Sequence, residues 1–187
     1  MKKIISVLLL SGIVSIIQAQ NLQLKTDSLV LALDEVSSVE GCHRHLSTVK
    51  AAAAYYLYTP YKEEDVVCKA CQTLVVQWAT STDELNLQIA PHMHEGLLDK
   101  KVQQGTLLAA YIAASDLYAI SNNVKETTFE AYTYAMEETL HFYSVNKESI
   151  GKSKYWDKLQ KMPETERKAE LLKLYKKDNP HFDKYIQ

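Results

Sequence analysis

Apolar residues recur at three- and four-residue intervals along most of this chain, the spacing that lines one face of an α-helix. Leu22, Leu29, Val30, Leu33 and Val36 predict a helix over 22–39, with Thr26-Asp27-Ser28 as start signals and Gly41 as a stop. Residues 43–59 (HRHLSTVKAAAAYYLYT) predict a second helix ended by Pro60, and their four consecutive alanines mark a face that another helix can approach closely. Pro60 is expected to open a third helix, with Glu63, Glu64 and Asp65 in its first turns, where the helix dipole favours negative charge. Val67, Cys68, Cys71, Leu74, Val75 and Trp78 form the apolar stripe of that helix.

The pattern breaks over Thr80 to His94 (TSTDELNLQIAPHMH), where Leu85, Leu87 and Ile89 alternate before Pro91; this reads as a loop or a short extended piece. Two long helices are predicted over 95–121 and 126–146, separated by Ser121-Asn122-Asn123. Two shorter ones follow over 153–161 and 164–177, with Pro163 at the start of the last and Asn179-Pro180 ending it. A shift of 65 positions lays Ala70 on Ala135, Val75 on Leu140 and Trp78 on Tyr143, which suggests a repeat of two Ala/Tyr-rich hairpins. The predicted fold is all-α: antiparallel helical hairpins forming a short α-solenoid-like, tetratricopeptide-like array or a helical bundle.

Composition narrows the class. Lys2 and Lys3, the apolar run Ile4 to Ile17 and the small residue Ala19 read as a signal peptide over 1–19, and the expected product is a soluble protein, periplasmic or secreted, with no membrane span after cleavage. Residues 20–187 then form a single helical domain, large enough to bury a core without disulfides. Five glycines and four prolines in 187 residues argue against a turn-rich sandwich or barrel. Between Gln20 and Ile150 there are 9 Lys+Arg against 17 Asp+Glu, a balance of −8, whereas 151–187 carries 10 against 6, a balance of +4. The basic tail mixes both signs, as a solvated helical face does, and the acidic body excludes a nucleic-acid surface.

The succession YYLYTP, a helix ending QWATSTDELNLQI and a long Ala/Tyr helix resembles a group of small exported all-helical proteins of Gram-negative bacteria that are similar to tetratricopeptide-type arrays. The resemblance spans residues 45–147. It implies an all-helical array, and it carries no catalytic residues and does not extend to Cys42, the His43/His45 pair or the CKAC spacing.

Chemistry is concentrated in one stretch: Cys42, His43, His45, Cys68, Cys71, His92 and His94 all fall between 42 and 94. Thiolates and imidazoles are the ligands of zinc and copper, so this set is the candidate metal site, although a CxxC inside an amphipathic helix is not a zinc knuckle. Cys68-x-x-Cys71 lacks the following histidine of a c-type haem site, and no strand precedes it as in a thioredoxin-like dithiol. In an oxidising compartment Cys42 can pair with Cys68 or Cys71, and otherwise Cys68 and Cys71 are core residues that pack as small apolar side chains. Glu138-x-x-His141 has the spacing of a di-iron carboxylate motif but no matching second copy. Tyr55, Tyr56, Tyr58 and Tyr61 are the candidate binding surface, since tyrosine is favoured at interfaces, with packing between helices as the other reading. The expected function is therefore non-enzymatic protein binding or scaffolding by an exported helical protein with no cofactor. The alternative is a periplasmic zinc- or copper-binding protein using the 42–94 set.

Overall fold

Residues 26–92 and 95–181 are described by a computed structural model. Eight helices run through them: α1 Thr26–Glu35, α2 Val39–Arg44, α3 Leu46–Tyr58, α4 Val66–Ser81, α5 Thr106–Asn122, α6 Phe129–Ile150, α7 Lys154–Lys161 and α8 Glu164–Asp178. Strand pairing among the described residues is limited to one isolated parallel bridge, Asn86 to Glu126. The all-α expectation holds. The predicted signal segment 1–19 and His94 lie outside the described residues. No helix among those described is long and apolar enough to cross a membrane.

Alanine decides the middle of the molecule. In α5, Ala109, Ala110, Ala113, Ala114 and Ala119 are buried, and in α3 Ala51 to Ala54 are buried, so helix axes come together where larger side chains would hold them apart. As a result α5 packs against α3, α4 and α6 at once and is buried around most of its circumference. The Tyr56 hydroxyl donates to the Thr106 carbonyl at 3.2 Å, tying the end of α3 to the start of α5. The Gln103 N–H donates to the Ile150 carbonyl at 2.7 Å, which ties the approach to α5 to the end of α6. Helix α1 lies on α4 and α3, whereas α7 and α8 pack along α6. The two indoles are fully buried and each finds an acceptor: Trp78 Nε1 donates to the Cys42 carbonyl at 3.3 Å and Trp156 Nε1 to the Gly96 carbonyl at 2.8 Å.

Three predicted boundaries move, each for a local reason. The helix expected over 22–39 ends at Glu35, and Ser38 caps a separate short helix whose interior holds Gly41. A Cβ at Gly41 would lie 2.0 Å from the Glu35 carbonyl oxygen, so glycine is there for close approach and not as a stop. The third helix starts at Val66 and not at Pro60, because Asp65 caps it by accepting the N–H groups of Val67 and Cys68. The helix expected from 95 begins at Thr106, behind Gly105 in the left-handed region at φ 81°, and 95–104 is a chain of turns.

Candidate partner-binding face

The structure separates the Cys/His set that the sequence groups. Cys42, Cys68 and Cys71 are all buried free thiols. The Cys42 Sγ donates to the Val36 carbonyl at 3.2 Å. Its backbone meets Trp78, seven residues beyond Cys71 and so about 10 Å further along the helix axis. Each described histidine of the set faces carboxylates: His45 meets Glu35 at 2.9 Å, His92 meets Asp178 at 2.6 Å, and His43 lies 2.8 Å from Asp83 and 3.6 Å from Glu84. Among the described residues, the only group of three His, Cys, Asp or Glu side chains close enough to share a cation is His43, Asp83 and Glu84. That group takes one residue from the predicted set and adds two acids from the turn after α4.

Cys68 has an unexpected position, since Asp65 is the cap and Cys68 therefore lies in the first turn of α4 rather than several helical residues into it. A helix N-terminus ordinarily favours a thiolate. Here burial, followed by the neighbouring Asp65 charge, pushes the Cys68 thiol up to about 11. Burial, with Cys68 and Asp65 beside it, pushes Cys71 up to about 12. Both stay protonated near neutral pH and have the character of core residues, not nucleophiles.

The four predicted surface tyrosines divide. Tyr56 is 0% and Tyr61 5% exposed. Tyr56 stacks on Phe142 with centroids 5.2 Å apart, and Tyr61 meets the same ring edge-on at 6.3 Å, so these two are core residues and not part of a binding surface. Tyr55 is half-buried beside Asp65, its hydroxyl 3.4 Å from the carboxylate.

Tyr58 is the one that joins a larger feature. Its hydroxyl donates to Glu138 Oε2 at 2.9 Å, with Tyr134 close by. Its ring lies 6.1 Å from that of His141, and Tyr134 in turn meets Tyr118 at 5.2 Å. Tyr58, Tyr118, Tyr134 and Glu138 are half-buried and His141 is exposed, so α3, α5 and α6 together present three tyrosines, Tyr118 against Tyr134 and Tyr58 on the Glu138 carboxylate. The positions on α6 follow from helix geometry, since 134, 138 and 141 succeed one another at four and three residues on one face. Burial raises the Glu138 carboxyl above the ordinary carboxylate range, with the Tyr58 hydrogen bond and His141 acting in the opposite direction. Glu138 and His141 therefore belong to an aromatic face and not to a di-iron centre. The sequence pointed to neither Tyr118 nor Tyr134, whose partnership exists only once α5 and α6 are paired.

The geometry defines an all-α protein of paired helices with a tyrosine-rich, carboxylate-centred face. The chain matches no protein-family model, no curated protein and no solved structure.

Proposed function

We propose that the protein is a non-enzymatic, exported binding or scaffolding protein that holds a partner protein on the Tyr58–Tyr118–Tyr134–Glu138 face. The observation behind this reading is the face itself: three half-buried tyrosines, Tyr118 against Tyr134 and Tyr58 bonded to a desolvated carboxylate. Tyrosine supplies large contact area at low conformational cost, and a ring that is half open has more area to bury. The N-terminal pattern of basic residues, apolar run and Ala19 supports export, and the mature chain is expected to begin at Gln20 when the protein is recovered from the periplasm of a bacterial host and its N-terminus is sequenced. Binding is tested by selecting peptides from a displayed library on the full chain and measuring them against Tyr134→Leu and Tyr118→Leu. Selected peptides are expected to lose about tenfold in affinity or more, the scale of an interface anchor residue. Peptides that bind both variants as tightly as the parent, or turnover of a substrate by the purified protein, would overturn the proposal.

Metal binding is the other reading, and His43, Asp83 and Glu84 are now its residues. Lys125 already sits 3.4 Å from Glu84 and donates to the Asp83 carbonyl at 3.2 Å, so the countercharge a cation would bring is present. For that reason the aromatic face is preferred.

A further inference from the structure

We propose that this face receives the cationic side chain of a basic polypeptide segment, a lysine or arginine seated against the tyrosine rings with its charge on the Glu138 carboxylate. The inference rests on reading the face as a partner surface and names what that surface recognises. Glu138 is half-buried, and among the described residues no lysine or arginine forms an ion pair with it. Of the other charged residues of α6, Glu137 pairs with Arg167 at 2.7 Å, Lys147 with Asp157 at 3.8 Å and Glu148 with Lys152 at 2.9 Å. A carboxylate taken partly out of water gains most from an opposite charge brought against it.

The rings select the same ligand. A tyrosine face carries the negative end of the ring quadrupole, so a cation lying over Tyr118 or Tyr134 is attracted by the aromatic group as well as by the acid. The Tyr58 hydroxyl donates to Glu138 Oε2 at 2.9 Å, which holds the carboxylate in one orientation before a ligand arrives. An anionic segment would meet Glu138 as a like charge, and a purely apolar one would bury it unpaired. The surroundings agree in sign, since residues 20–150 balance at −8 and draw a basic segment by long-range attraction.

The test uses the full chain and two fluorescent peptides, an alternating lysine–glycine peptide and the same peptide with every lysine acetylated, read by fluorescence anisotropy. The basic peptide is expected to bind and the acetylated one to bind at least about tenfold more weakly. Glu138→Gln and Tyr134→Leu should each weaken the basic peptide about tenfold, whereas Glu148→Gln, which removes the same charge from the same helix at an exposed position, should change it less than about twofold. Equal losses in Glu138→Gln and Glu148→Gln would mean diffuse attraction and overturn the proposal, as would no binding of the basic peptide. Equal binding of both peptides, still lost in Tyr134→Leu, would overturn the cationic ligand while leaving the face as a partner surface.

Discussion

Asp116 on α5 and Glu138 on α6 stand on adjacent, directly packed helices, and burial raises the pKa of both, yet the two carboxyls are in opposite circumstances. Asp116 is 0% exposed and neither of its oxygens has a hydrogen-bond partner among the described residues. It sits in a helix buried nearly all round, and burial alone accounts for its direction. Glu138 accepts a hydrogen bond from Tyr58, lies near His141 and keeps part of its surface open. Desolvation by itself therefore does not mark a functional site. A sealed acid lowers the stability of the fold, whereas an acid that is half desolvated, oriented and reachable has something to gain from a ligand.

The largest effect that separates the two should come from replacing Asp116. Asp116→Leu removes an unpaired buried polar group and keeps a side chain of comparable length in an apolar setting, so stability by urea unfolding should rise by about 2 kcal/mol at pH 7. Asp116→Asn isolates the charge. An acid whose folded pKa is raised keeps its full contribution below the ordinary carboxyl value near 4 and loses it as pH rises toward the folded value. The wild type should accordingly lose stability relative to Asp116→Asn between pH 4 and pH 7, with a limiting slope of about 1.4 kcal/mol per pH unit. Cys42, whose thiol feels the Asp116 charge, is itself pushed up by burial, so it stays neutral in this window. A difference that is flat with pH would mean that Asp116 ionises in the folded state and that the contrast with Glu138 is false.

How much of this was legible beforehand depends on whether a feature is local. Helical periodicity and the two alanine runs are local, and they gave the all-α fold and the close-packed middle. The start of α4 is not: Pro60 looks like a helix opener, but the Tyr61 N–H is taken by the Asn146 side chain at 2.8 Å from the far end of α6, and the helix waits for Asp65. The same holds for the tyrosines. Tyr56 and Tyr58 differ by two positions, yet one stacks on Phe142 inside the core and the other reaches Glu138, because two residues turn a helix by more than half a revolution. Glu138-x-x-His141 was visible as a spacing, but its meaning came from Tyr58 on another helix. The histidines were grouped by nearness in sequence, and each went to a carboxylate that the spacing did not announce.

A smaller effect tests the Tyr58 link directly. Tyr58→Phe deletes the hydroxyl that donates to Glu138 and leaves the ring in place, and should cost about 1 kcal/mol of stability. Since that hydrogen bond acts to lower the Glu138 carboxyl, its loss should move the Glu138 titration, followed by NMR of the side-chain carbon, to higher pH. A downward move or none would show that Tyr58 does not orient the acid, and Glu138 would then resemble Asp116 more closely than the structure indicates.

The smallest change in stability should come from Glu138 itself, and its smallness is the informative result. Glu138→Gln keeps an oxygen that accepts from Tyr58 and removes a desolvated charge that no lysine or arginine among the described residues pairs with, so the gain from neutrality and the weaker hydrogen bond nearly offset. Stability should stay within about 0.5 kcal/mol of the parent, as for a surface substitution away from the core. Asp116→Asn on the neighbouring helix should raise stability at the same pH. A loss above about 1.5 kcal/mol in Glu138→Gln would make Glu138 a structural acid, held for the fold rather than for a ligand. A near-neutral result, together with lost affinity for the lysine–glycine peptide, would identify it as an acid whose unfavourable burial is relieved only by a partner.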